Sequence, residues 1–315
     1  MSDHRPAVTA RAPAKVNLLL QVGPVRDDGF HDLVTVFQAV SVHEDVTATP
    51  AADWGLTVEA AGGADVSGVP LDGSNLALRA ARLLAERAGV DEPVHLHVRK
   101  EVPVAGGMAG GSADAAAALV ACDALWQLRT GLDGLATLGA ELGSDVPFGL
   151  HGRTAVGTGR GEQLVPVLTR GSFHWVFVLD PAGLSTPRVF AECDRRRGPG
   201  WGPPPADVRL EAVEAALRGG DAEALAAALS NDLAEAACAL APQLTRTLAA
   251  GRAAGALAAV VSGSGPTVAL LTASAASAQD VVAELVPVVG QGRLRTASGP
   301  VPGARVLEAL APGGQ

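Results

Sequence analysis

The segment Pro103-Val104-Ala105-Gly106-Gly107-Met108-Ala109-Gly110-Gly111-Ser112-Ala113-Asp114 sets four glycines and two alanines ahead of a serine that opens an alanine-rich stretch. Glycine allows close backbone approach and positive φ. A helix start offers unpaired N–H groups and partial positive charge, which together suit a phosphate. Ser112 is placed to cap that helix or to meet a phosphate-bound magnesium. No lysine follows Gly111, so this is not a Walker A loop, and the glycine spacing is not that of the dinucleotide fingerprint. A small-residue turn for tight helix packing is the plainer alternative, and the glycine density before a serine-led helix favours phosphate.

Lysine occurs only at Lys15 and Lys100 in a chain with many arginines, and asparagine only at Asn17, Asn75 and Asn231. A lysine kept against that bias suggests a point charge that the planar arginine fork does not replace. Lys15 and Asn17 lie on an apolar, β-branched run. A single cation on a rigid strand suits charge stabilisation in phosphoryl transfer. Asp145, in Leu142-Gly143-Ser144-Asp145-Val146-Pro147-Phe148, is either a turn cap before Pro147 or a carboxylate for chemistry. An aspartate is a feeble base at neutral pH. Asp145 is therefore expected to orient a hydroxyl and take its proton late, as a loose phosphoryl transition state permits.

These segments resemble the GHMP kinase superfamily in order and spacing over nearly the whole chain. Ala12-Pro13-Ala14-Lys15-Val16-Asn17-Leu18 resembles its first motif, in the form of the methylerythritol branch. The glycine-rich loop resembles the second, with Met108 where leucine is commonest and Ala113 where a second serine is common. Ser262-Gly263-Ser264-Gly265-Pro266-Thr267 resembles the third. Arg26-Asp27-Asp28-Gly29-Phe30-His31 resembles the branch's Arg-x-Asp-Gly-Tyr-His segment. Stacking needs only a ring face, so Phe30 serves in a chain without tyrosine.

The resemblance implies ATP-dependent phosphorylation, with Mg²⁺, of the 2-hydroxyl of a cytidine diphosphate-linked methylerythritol on the non-mevalonate route to isoprenoid precursors. It implies Lys15 and Asp145 as catalytic. Pro103, Gly106, Gly107, Met108, Ala109, Gly110, Gly111, Ser112 and Ala113 would form the ATP and phosphate site, with Asn75 and Lys100 beside the nucleotide. Asn17, Phe30, His31, Phe190, Gly263 and Ser264 would join Asp145 around the acceptor, Phe30 and Phe190 on the two faces of the cytosine. Asn231-Asp232-Leu233 resembles a short signature and reads as a helix cap.

The elements that must position these groups follow from periodicity. Strands are expected at 14–22 and 33–42 around a turn at 26–29, and at 94–98, 153–157, 175–179, 257–261, 267–271 and 292–297. Helices are expected at 74–88, capped by Ser74, at about 112–126, and at 132–142, 208–217, 222–229, 242–253 and 277–285. Residues 195–205, rich in Arg, Gly and Pro, read as a loop. His95 and His97 share one strand face, as a metal pair or, the better reading, as polar residues on its wetter side.

The pattern is α+β. The resemblance implies a two-domain fold: a domain at 1–168 with a left-handed β-α-β crossover, and a ferredoxin-like domain at 169–315.

With 48% hydrophobic and 18% charged residues the chain is globular, and its net charge of -9 argues against nucleic-acid or anionic-membrane binding. The three cysteines, widely spaced, suggest neither a disulfide framework nor a zinc site, in keeping with a reducing cytoplasm. Residues 1–10 lack the apolar core of a signal peptide. The expected partner is the small-molecule substrate, and the expected state a monomer or weak homodimer.

Overall fold

A computed structural model describes residues 7–102, 106–198 and 208–307. Two long strands open the chain, β1 (Val8–Val25) and β2 (His31–Pro50), paired antiparallel across the turn at 26–29. β3 (Gly55–Ala60), α1 (Leu76–Ala88) and β4 (Val94–Lys100) form a parallel β-α-β unit, with β4 also antiparallel to β2. Then come α2 (Gly110–Trp126), α3 (Leu132–Leu142), α4 (Val146–His151), β5 (Thr154–Thr158) and β6 (Gln163–Pro166).

β7 (Phe173–Val178) opens a second sheet and is followed by α5 (Thr186–Arg197), α6 (Val208–Gly219), α7 (Ala222–Ala228), β8 (Ser230–Asn231) and α8 (Ala234–Leu240). The remainder is α9 (Gln243–Ala253), β9 (Ala258–Val261), β10 (Val268–Thr272), α10 (Ala275–Val289), β11 (Leu294–Gly299) and β12 (Arg305–Val306).

The first sheet runs β12-β1-β2-β4-β3, with β5 and β6 joined through β2 and β8 beside β1; the second is antiparallel, β11-β7-β10-β9. Residue 168 falls between the sheets. The later chain nevertheless returns to the first, because β8 pairs with Leu19 and Leu20 and β12 with Ala10 and Arg11.

β1 is buried from Ala12 to Gly23, and both α2 and α6 pack on it. Burial on two sides explains why its sequence is apolar without alternation. α2 is apolar nearly all round and buried along most of its length, the pattern of a central helix. Its alanines let it lie close: at Gly149 an added Cβ would come within 3.0 Å of the Ala116 Cβ, so α4 rests almost backbone-on against α2.

Several expectations shift. Asn75, not Ser74, caps α1, its Oδ1 accepting from Ala77 N at 2.9 Å. α2 begins at Gly110 instead of Ser112, after Ala109 in a left-handed conformation with φ 59. Ser112 therefore sits inside the first turn, its hydroxyl released from capping. Arg195, Arg196 and Arg197 were expected in a loop but form the last turn of α5, where cations complement the helix dipole; residues 199–207 lie outside the described residues. α4 begins inside the Gly-Ser-Asp-Val-Pro segment, at Val146, where the sequence reading had no helix. His95 and His97 do share a face, and His95 Nε2 and His97 Nδ1 each lie 3.1 Å from Thr57 Oγ1.

Candidate active site

Lys15 stands mid-strand in β1, 5% exposed. Its backbone N donates to Met108 O at 3.2 Å, so the glycine-rich loop is docked on β1 like a short extra strand. The ammonium donates to Asn17 Oδ1 at 2.7 Å and to Gly107 O at 3.1 Å, and lies 3.9 Å from Asp145 Oδ2. Asn17 Nδ2 donates in turn to Thr35 Oγ1, whose hydroxyl donates to Leu19 O. That relay, beside a register shift between β1 and β2 at residues 17–19, fixes the cation. Burial lowers the Lys15 pKa and Asp145 pulls against that shift.

Asp145 occupies the N-cap position of α4, yet its carboxylate makes no capping bond. It is directed instead at Lys15 and lines the cleft. The packing of α4 on α2 carries Gly143 to within van der Waals range of Ser112, since an added Cβ there would lie 4.0 Å from Ser112 Oγ. Lys15, Asp145 and Ser112 all line one cleft.

The third glycine turn closes this cleft from the second sheet. Ser262 Oγ donates to Gly107 O at 3.1 Å, and Thr267 N donates to Gly106 O at 3.3 Å. Gly263 has φ +56, and an added Cβ would sit 3.0 Å from both Lys15 Nζ and Gly107 O. Asn231 sets the turn, its Nδ2 donating to Val261 O and Gly263 O at 2.7 Å each while its Oδ1 accepts from Leu233 N. Asn231 was expected to cap a helix, but the N-cap of α8 is Leu233 without a side-chain bond, and Asn231 instead pins the glycine turn from β8. Ser264 shares a hydrogen bond with Thr186 of α5 at 2.8 Å.

A cleft of about 810 Å³ runs across these groups. It is lined by Lys15, Asn17, Asn75, Lys100, Gly106, Gly107, Ala109, Gly110, Gly111, Ser112, Asp145, Phe30, His31, Phe190, Gly263 and Ser264. Met108 and Ala113 do not line it: their side chains are buried in the core, which leaves only their backbone to a phosphate. Pro103 lies outside the described residues.

Lys100 borders the cleft, but its ammonium is taken by Asp114 Oδ2 at 2.7 Å and Glu44 Oε1 at 3.1 Å, all three groups buried. Glu44 also accepts from the backbone N of Glu101 and Val102, tying the entry of the glycine loop to β2. Burial, then the Asp114 charge, pushes the Glu44 carboxyl well above its ordinary range, and burial raises Asp114 against the pull of Lys100. Burial also opposes the Lys100 charge, but its two carboxylates outweigh that and raise its pKa.

At the far end His31 Nδ1 donates to Gly23 O at 2.9 Å, its ring stacks on Phe190 with centroids 5.0 Å apart, and Nε2 lies 3.4 Å from Asp194 Oδ2. Phe30 is half exposed beneath the Arg160 guanidinium, 5.0 Å from its ring centroid. Phe190 is partly buried. Thr35, Glu44, Thr186, Asp194 and Arg160 had no sequence signal of their own; only the fold assembles them here.

The family comparisons agree with this geometry. A model described as the GHMP kinases N terminal domain matches residues 75–153, and one described as GHMP kinases C terminal matches 212–287. A 4-diphosphocytidyl-2-C-methyl-D-erythritol kinase of Kineococcus radiotolerans is 76% identical over 292 residues, covering 92% of this chain and 89% of its own. The chain belongs to the GHMP kinase family. It is accordingly an ATP-dependent small-molecule kinase.

A solved 4-(cytidine 5'-diphospho)-2C-methyl-D-erythritol kinase superposes with a TM-score of 0.74 at 32% identity, covering 92% of this chain and 98% of the other. A homoserine kinase from Cytophaga hutchinsonii superposes nearly as well, 0.73 at 16% identity, covering 98% and 99%. The fold therefore fixes the family and leaves the acceptor to the side chains.

Among the described residues, no helix is long and apolar enough to cross a membrane and no cluster of three His, Cys, Asp or Glu could hold a metal. A magnesium ion carried on ATP phosphates needs only one or two protein oxygens. The Ser112 hydroxyl, unbonded among the described residues, and the Asp145 carboxylate, which lines the same cleft, fit that demand.

Proposed function

We propose that this kinase phosphorylates the 2-hydroxyl of 4-diphosphocytidyl-2-C-methyl-D-erythritol, on the non-mevalonate route to isoprenoid precursors. The observation that carries the acceptor is His31. A carbonyl only accepts, so the bond to Gly23 O puts a proton on Nδ1 and directs Nε2 toward the Asp194 carboxylate. With Asp194 lining the cleft beside His31, its carboxylate offers an acceptor to a base edge bearing an exocyclic amine. Cytosine has that amine and uracil does not. Phe30 and Phe190 supply the ring faces.

In the proposed mechanism the N-terminus of α2 and the glycine loop hold the ATP phosphates, with Asn75 at the nucleotide end and Lys100 bracing the loop through Glu44 and Asp114. Magnesium, held through Ser112 and Asp145, would neutralise phosphate charge. Asp145 orients the acceptor hydroxyl and takes its proton. Lys15, fixed by Asn17 and the Gly107 carbonyl, balances charge on the transferring group. Gly263 and Ser264 close over the acceptor, and the glycines at 107 and 263 let two backbones meet around Lys15. The division into domains at 1–168 and 169–315 belongs to the same reading, with the cleft between them.

The test is ADP release with ATP and Mg²⁺ on the cytidylated acceptor, its uridine analogue, homoserine and mevalonate. Turnover on the cytidylated acceptor alone supports the reading. Turnover on a control replaces the acceptor, and ATP binding without turnover on any of them would indicate a non-catalytic nucleotide binder.

A further inference from the structure

The cleft must hold two anionic ligands, and its cations are unevenly placed. The cationic side chains that line it among the described residues are Lys15, Lys100 and Arg160. Lys100 is neutralised by two carboxylates and Lys15 faces Asp145. At the Phe30/His31 end the surroundings are otherwise acidic. Asp194 faces His31, and Asp28 and Asp32 both hold Arg26. Arg26 does not line the cleft.

Arg160 is held there by a tight hairpin between β5 and β6. Gly159 and Gly161 on either side have φ +69 and +105. Gly159 O accepts from Leu33 N at 2.7 Å, and the Arg160 backbone N donates to Glu162 Oε2 at 2.7 Å. The side chain meets Glu162 only at 4.0 Å through Nε. Among the described residues its terminal nitrogens have no hydrogen bond, and the guanidinium lies over the half-exposed Phe30 ring.

We propose that Arg160 is a specificity-determining residue of the acceptor pocket, holding the diphosphate of the nucleotide-linked acceptor while its fork covers Phe30. The placement makes one side chain serve both needs, since a guanidinium stacks on a ring by its face and bonds phosphate oxygens by its edge. The inference rests on the cytidylated acceptor proposed above.

The test compares Arg160→Met, which keeps bulk over Phe30 and removes the charge, with Arg160→Lys, which keeps the charge and loses the fork. Charge-assisted bonds of this kind predict a rise of about tenfold or more in acceptor KM for Arg160→Met. The ATP KM should stay within about twofold, and Arg160→Lys should be intermediate. Competitive inhibition by CDP and by cytidine isolates the phosphate contact. The unaltered enzyme should prefer CDP, added salt should erode the preference, and Arg160→Met should lose it with cytidine binding unchanged. A CDP-to-cytidine ratio equal in variant and parent overturns the proposal. So does tighter cytidine binding by Arg160→Met, which would place the arginine in the seat of the base. Turnover of the unaltered enzyme tests the acceptor itself, and the inhibitor ratio scores Arg160 whichever way that falls.

Discussion

Replacing Gly107 by alanine puts a methyl group where two turns already touch. The added Cβ would fall inside the Ser262 carbonyl oxygen, and within 2.9 Å of Gly265 O and 3.0 Å of Gly265 N. All three are backbone atoms, so no side chain can swing aside. Gly107 also has φ +76, which costs a residue with a Cβ about 1–2 kcal/mol. Overpacking adds about 1–3 kcal/mol. The sum, about 2–5 kcal/mol, corresponds to a fall in Tm of about 3–8 °C for a chain of 315 residues.

The same displacement moves the Gly107 carbonyl that receives Lys15 and Ser262, so kcat should fall along with stability. Gly111→Ala is the control. Its Cβ meets nothing within 4 Å, on a helix where alanine is preferred by up to about 1 kcal/mol. Tm should hold or rise, while the ATP KM rises because Gly111 lines the cleft. Thermal melts and steady-state ADP release on both variants decide it. A Gly107→Ala enzyme with parental Tm and kcat would mean that the two turns can part without disturbing Lys15.

Asp145→Asn should keep its Tm, since the side chain caps nothing, and lose about 10²–10⁴ in kcat as a proton acceptor is removed; parental turnover would take Asp145 out of the mechanism. Lys100→Met leaves two buried carboxylates without their cation and should cost about 3–5 kcal/mol in a denaturant melt. Glu44 and Asp114 have raised pKa values, so the folded state holds their protons to higher pH than the unfolded chain does. The deficit of Lys100→Met should therefore deepen as pH rises through and above the usual carboxylate range, and a pH-independent deficit contradicts the triad. Asp114→Asn keeps an oxygen for Lys100 and should change stability by no more than about 1 kcal/mol. Lys15, lowered by burial, should give kcat/KM an alkaline limb below pH 10.5 as the ammonium is lost. Its stability term has the opposite sign, because between the folded pKa and 10.5 the unfolded lysine binds more proton and stability rises with pH; a limb at 10.5 or above contradicts its burial.

The sequence by itself determined the chemistry and most of the elements. Glycine density before Ser112, a retained Lys15 and the order of three motifs are local properties of the chain, and backbone sterics make them readable without a fold. The helix at 132–142 has the bounds the apolar pattern gave it, and β10 and β11 differ from expectation by one or two residues, since amphipathic periodicity survives burial.

Tertiary structure decided which groups meet. Ser112 was freed from capping because the helix starts one half-turn earlier, at a left-handed Ala109. Asp145 could have closed its own turn, and the packing of α4 on α2 directs it to Lys15. Lys100 was expected to meet the nucleotide; a strand pairing more than 50 residues away in sequence brings Glu44 against it instead. Arg160 carries no motif at all, and only the hairpin anchored to Leu33 lays it over Phe30. Local patterns specify what each residue can do, while contacts between distant segments set its partners, and charge and proton affinity in a buried cleft depend on those partners.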